Sequence, residues 1–197
     1  YQEQYARDVS DRSTAMSVMS KIKKQRYDIA ISDGESSLNR SDNQKALNNF
    51  LLAKNLEKDY TFSKNDSLDI FIRLAAKPLT MQKVKDGQVK AWGNKLAEAR
   101  ELYSQANDDI KTYGLEKDQE LATELQTLKD KIFTQECTNA ENEYKTKLDQ
   151  AAKQISRGDY ISAAVSYQQA IDVTNASILC NIDNSFARNE KMRIKPA

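Results

Sequence analysis

The chain contains no histidine. That absence removes the commonest general base and the commonest transition-metal ligand, and with them the Ser-His-Asp and His-Glu-x-x-His chemistries. Breakers are scarce as well: there are two prolines, none between Pro78 and Pro196, and five glycines in 197 residues. With Ala, Leu, Lys, Glu and Gln abundant, such a composition favours long uninterrupted helices. An excess of one charge is also missing, because 30 Lys plus Arg stand against 29 Asp plus Glu, a formal net charge of +1. No overall field therefore draws the protein to nucleic acid or anionic lipid. Mean hydropathy is −0.76, and no run approaches the roughly 18 apolar residues of a membrane-spanning helix. Glycine-rich phosphate loops, Cys-x-x-Cys pairs, Gly-x-Ser-x-Gly and calcium-loop patterns are lacking. No cofactor or metal site is expected, and no catalytic residue is assigned. Adjacent carboxylates such as Asp108 and Asp109 point in different directions on a helix.

What is present is clearest between Cys137 and Cys180. Thr138-Asn139-Ala140-Glu141 has the form in which Thr and Glu side chains satisfy the free amides of a helix start. From there Tyr144, Leu148, Ala151 or Ala152, and Ile155 recur every three or four residues on one face. Gly158 provides a left-handed stop, and Asp159 is placed to cap a returning helix. On that helix Ala163, Tyr167 and Ala170 form a stripe flanked by Ala164 and Ile171. A helix from about Thr138 to Arg157 rises roughly 30 Å, and a return from Tyr160 to about Val173 covers roughly 21 Å. Residues 174–179 span the remaining gap of about 9 Å easily at up to ~3.3 Å each. Cys180 can thus reach Cys137, and with two cysteines in the chain this is the sole pairing. A disulfide there implies an oxidising compartment.

Gly158-Asp159-Tyr160-x-x-Ala163-x-x-x-Tyr167-x-x-Ala170 resembles the second half of a tetratricopeptide repeat. The Trp, Leu and Gly signature of that repeat's first helix has no counterpart between Lys147 and Ser156. Two further small-aromatic-small stripes occur, Ala46, Phe50 and Ala53, then Ala99, Tyr103 and Ala106. Their starts lie 53 residues apart, and the third follows 64 later, against the roughly 34-residue period of a regular array. Irregular antiparallel hairpins are expected, either tetratricopeptide-like or an elongated bundle. The whole pattern from 137 to 180, with a Cys at each end, resembles irregular helical-repeat proteins exported by Bacteroidota. That resemblance implies a periplasmic or cell-surface location. Residue 1 is Tyr, so an upstream signal segment or lipid anchor is expected to have been removed.

Along the rest of the chain, Val9, Met16, Met19, Ile22 and Tyr27 mark a long first helix ending between Gly34 and Arg40. Lys21, Lys23, Lys24 and Arg26 read as its solvated face. Ser41-Asp42-Asn43-Gln44 forms a second capping box, and the helix it opens stops before Asp59, with Tyr60-Thr61-Phe62 an extended link. Caps at Ser63 to Asp66 open a third helix over 67–77, stopped by Pro78; residues 68–72 also alternate as a strand would. From about Gln82 a long helix carries Trp92, Leu96, Ala99, Tyr103, Ala106, Ile110 and Tyr113 on one stripe, with Gly87 and Gly93 early in it. Gly114 closes it. Leu121, Leu125, Leu128 and Ile132 define the next, from about 116 to 133. No Gly or Pro separates that helix from Thr138, so a single rod of about forty residues stays open. A short helix at Ile182 and Phe186 and a basic tail of Arg188, Lys191, Arg193 and Lys195 end the chain. Asn39, Asn65 and Asn175 begin Asn-x-Ser sequons, and Asp66-Ser67-Leu68 is similar to the O-glycosylation signal of Bacteroidota periplasmic proteins.

One all-α domain spanning 1–197 is expected, with 137–180 as its C-terminal hairpin. A monomeric, non-catalytic scaffold binding a protein or peptide is the first functional expectation. An extracytoplasmic helical sensor holding a small molecule is the alternative.

Overall fold

The computed structural model describes residues 2–59 and 67–194. The extended link at Tyr60 to Phe62, the caps at Ser63 to Asp66, the Asn65 sequon, the start of the Asp66-Ser67-Leu68 signal and Lys195 lie outside them. Among the described residues there is no strand, and seven α-helices follow one another: α1 Gln2–Asn39, α2 Asn43–Asp59, α3 Leu68–Trp92, α4 Leu96–Tyr113, α5 Gln119–Ser156, α6 Tyr160–Ala176 and α7 Ser185–Arg193. One turn of 3-10 helix, Ile178–Cys180, lies between the last two. The fold is all-α.

Of the two readings of the stretch before Thr138 the single rod is the one found, and a second boundary, at Pro78, disappears. Thr138 lies inside α5, which runs 38 residues without a break, and its hydroxyl donates back to the Thr134 carbonyl at 2.9 Å. A Thr-x-x-Glu pattern caps a helix only where the preceding backbone leaves helical geometry, and nothing between Gln119 and Ser156 forces that departure. Pro78 likewise sits within α3. Losing one backbone hydrogen bond there opposes helix by about 3 kcal/mol, but Ala75, Ala76, Thr80 and Val84 around it are all fully buried. Packing of that face outweighs the local preference, and the helix carries on. The alternating residues 68–72 are the first turn of this helix.

One expected continuity is broken instead. The stripe from Trp92 to Tyr113 is cut at Gly93 and Asn94, where Asn94 adopts φ 57° and the Lys95 amide reaches back to the Lys90 carbonyl at 2.9 Å. Asparagine tolerates the left-handed region, so the pair stops α3 as a Gly-containing cap does. Other ends follow their local chemistry. Gly114 and Gly158 take φ +68° and +77°, Asp118 caps the Leu121 amide at 3.0 Å, and Asp159 caps Ser162 at 3.1 Å. At the second helix the cap is Asp42, which accepts from the Lys45 amide at 3.2 Å, one residue beyond the Ser41 expected.

The chain gathers into two compact units, Tyr1–Asp86 with Glu101–Gln126, and Gly87–Arg100 with Thr127–Ala197. In the first, α1 and α2 form an antiparallel pair. Tyr27, Ala30 and Ser37 are buried on one helix, and Ala46, Leu47, Phe50 and Ala53 on the other. Phe50 stacks on Phe71 of α3 with ring centroids 5.3 Å apart. Lys83 of α3 pairs with Asp109 of α4 at 2.6 Å. Lys77 meets Asp118 at 2.8 Å and Glu120 at 2.9 Å.

In the second unit the core holds Tyr144 and Ala151 of α5, Tyr167, Ala170 and Ile171 of α6, and Ala187 of α7. The outcome at the fourth-turn alternative is Ala151, since Ala152 is exposed. Ser166 donates to Gln154 at 2.8 Å across the α5–α6 hairpin. Tyr167 meets Phe186 of α7 edge-on at 6.4 Å. Cys137 and Cys180 are joined as a disulfide, with Cα atoms 5.1 Å apart.

Candidate functional site

Eight of the nine stripe residues are buried: Ala46, Phe50, Ala53, Ala99, Ala106, Ala163, Tyr167 and Ala170. Tyr103 is half-buried. The stripes are therefore packing surfaces, and any site must be sought on other faces. Among the described residues no cluster of His, Cys, Asp and Glu could hold a metal ion. No helix there is long and apolar enough to cross a membrane.

The surface that stands out is the solvent face of α6. This helix has one charged residue, Asp172, in its 17 positions. Its inner face carries Ala163, Tyr167 and Ala170, yet Ile161 is 75% exposed, Val165 is 53% exposed and Tyr160 is also exposed. A helix with apolar side chains on two opposite sides is one whose packing is incomplete when only one side is covered. Residues 160, 161, 164, 165 and 168 fall on that second side by the i, i+4 repeat. Together with Lys191 and Ile194 at the α7 end of the chain they line an open groove of about 360 Å³.

Lys191 donates to the Gln168 side chain, which in turn donates to Asp172 at 2.6 Å. On α7, Arg188 is held by Asn184 at 2.8 Å and Arg193 by Glu190 at 2.9 Å. The groove thus has a largely apolar lining in which Lys191 is the one charged side chain, and α7 as a whole carries Arg188, Lys191 and Arg193 against Glu190. Its geometry is fixed from below. Asp159, whose carboxyl is held below the usual range by hydrogen bonds from Ser162, anchors the α6 start. Asp183, lowered by the backbone and hydroxyl of Ser185, does the same before α7. Burial raises the Tyr144 and Tyr167 phenols, which keeps both neutral in the core at ordinary pH.

A second cleft, of about 330 Å³, lies within the same unit and is lined by Ala91, Trp92, Lys131, Thr134 and Gln135. Trp92 is 85% exposed, whereas the spacing placed it on the packed stripe of the following helix; the Gly93 break detaches it. On the first helix Lys21 and Arg26 are exposed and Lys23 and Lys24 half-buried, with Lys24 paired to Asp28 and lying 5.6 Å from the Tyr27 ring centroid.

Of the groove residues, Lys191 is foreseen only as part of a basic tail, and Ile161, Val165 and Ile194 are not singled out by the sequence pattern. A signal for the first two exists in it, because Ile161 and Val165 fall on the side of the helix opposite Ala163, Tyr167 and Ala170. The chain matches no protein-family model, and no curated protein or solved structure is significantly similar to it.

Proposed function

We propose that the protein is a non-catalytic interaction scaffold that binds a partner helix along α6. The supporting observation is that α6 is apolar on two opposite faces, one closed by the hairpin and one open. An amphipathic helix laid in the groove would cover Ile161 and Val165 with its own apolar stripe. Helix α7, which supplies Lys191 to the groove and carries Arg188, Lys191 and Arg193 against Glu190, favours a partner whose flanks are acidic. The hairpins that carry this surface fit a tetratricopeptide-like design, in which repeats supply packing and the outer faces supply recognition. A disulfide between α5 and the 3-10 turn fits an exported protein working in the periplasm or at the cell surface.

Paired affinity captures from the native source test the reading, using the wild-type chain and an Ile161→Glu, Val165→Glu variant. Both positions are exposed, so the variant should keep its circular dichroism and melting temperature. The expected result is one partner carrying an acidic amphipathic helix, recovered by the wild type and lost with the variant. Equal recovery by both proteins would move the docking surface elsewhere.

A further inference from the structure

We infer that the Trp92 cleft is a saccharide-binding site, distinct from the α6 groove. Trp92 is the sole tryptophan of the chain, and it ends α3 as an 85% exposed residue. Isolated exposed apolar residues are common, but Trp92 lines a cleft whose other side is α5. Lys131, Thr134 and Gln135 are spaced i, i+3 and i+4, which puts an ammonium, a hydroxyl and an amide side by side on one face of α5. Ala91, 1% exposed, lies beneath. The cleft therefore offers one flat aromatic platform and a line of hydrogen-bonding groups, with no carboxylate among its lining residues.

The parts are held in place. Gly93 and Asn94 fold the backbone back on α3, with the Gly93 amide at 3.0 Å from the Val89 carbonyl and the Asn94 amide at 3.1 Å from that of Ala91. The Asn94 side chain accepts from Asn139 at 2.7 Å, and Asn139 accepts from Gln135 at 3.3 Å. Three amides in series thus fix the Gln135 side chain relative to the turn that carries Trp92. Lys131 donates one of its three protons to Gln88 at 3.0 Å. A site whose polar groups are positioned before the ligand arrives loses less entropy on binding.

The ligand chemistry follows from that arrangement. A pyranose ring has an apolar C–H face for the indole and a rim of hydroxyls for the amide, hydroxyl and ammonium opposite. A peptide hot spot would instead place its aromatic in a water-excluding apolar collar, and Trp92, 85% exposed, has none around it. A stacked nucleotide would want several cations for phosphate, and Lys131 is the lone basic residue of the lining.

The sole tryptophan reports directly on the site. A glycan array spanning hexose, N-acetylhexosamine and uronic-acid polymers identifies the sugar, and fluorescence titration with the matching trisaccharide follows. The expected outcome is a saturable blue shift of the emission. Ligand-observed saturation-transfer NMR should lose the signal in Trp92→Ala and retain it in Trp92→Phe. Gln135→Ala should weaken binding about threefold to tenfold, the range for one hydrogen bond. Ile161→Glu, in the other groove, should leave the response unchanged. No saturable binding by any sugar class overturns the proposal. So does a saturable response to AMP alone, or an emission that is already blue and shifts with protein concentration, which would mark the cleft as a self-contact.

Discussion

Two neighbouring positions on α1 turn the same interface into opposite forecasts. A Cβ built at Gly34 would lie 2.5 to 2.9 Å from the Phe50 ring. Replacing a mid-helix Gly by Ala normally gains about 1 kcal/mol, but Phe50 is fully buried and stacked on Phe71, so the ring has little room to retreat. Overpacking, about 1 to 3 kcal/mol, wins. Gly34→Ala should therefore destabilise. Ser37, one turn on, is 1% exposed, and its hydroxyl has no hydrogen-bond partner. Ser37→Ala removes a desolvated polar atom without opening a cavity and adds helix propensity, so it should stabilise by about 1 kcal/mol. Urea unfolding of the two variants decides the matter. A stabilising Gly34→Ala or a destabilising Ser37→Ala would show that the Phe50 contact or the unpartnered hydroxyl is wrongly assigned.

At the scale of elements, starts and stops were readable where a residue has one dominant conformational use. Gly114, Gly158 and Asp159 do in the fold what their chemistry dictates. Thr138 and Pro78 do not, because a capping side chain or a missing amide is a term of a few kcal/mol at most, and a buried helical face exceeds it. The continuity of α5 also changes the meaning of the disulfide. Cys137 is mid-helix rather than at a helix start, so the bridge ties the turn after α6 to the middle of a rod. Its 43-residue separation corresponds to about 4 kcal/mol of lost unfolded-state entropy as an upper value. Reduction should lower the melting temperature by up to roughly 8 to 16 °C for a chain of this size, while far-UV helicity at room temperature persists. A Cys137→Ser, Cys180→Ser variant should match the reduced protein. An unchanged melting temperature on reduction would mean that the hairpin is equally constrained without the bridge.

For the molecule as a whole, periodicity foretold which faces are packed and was nearly silent on which apolar faces are left open. Ala163 and Ile161 are both apolar, but Ala163 is fully buried and Ile161 75% exposed, and that distinction depends on how many helices surround α6. Trp92 shows the same limit, since its place on a stripe depended on a helix continuing through Gly93. The packed faces nonetheless allow a forecast about how stability is distributed. Phe50 is fully buried in the first compact unit and Tyr167 is 3% exposed in the second. Truncating either to Ala should remove about 3 to 5 kcal/mol. Tyr167 also loses its edge-on contact with Phe186, an extra 0.5 to 1.5 kcal/mol or so for such a pair. Native-state hydrogen exchange separates the consequences, because compact units of a chain can open with separate free energies. Phe50→Ala should shed protection first from amides in 27–53, and Tyr167→Ala first from those in 144–174. If either substitution lowered protection equally across both stretches, the chain would open as one cooperative body, and the residues that pack each unit would have to be stabilising the other as well.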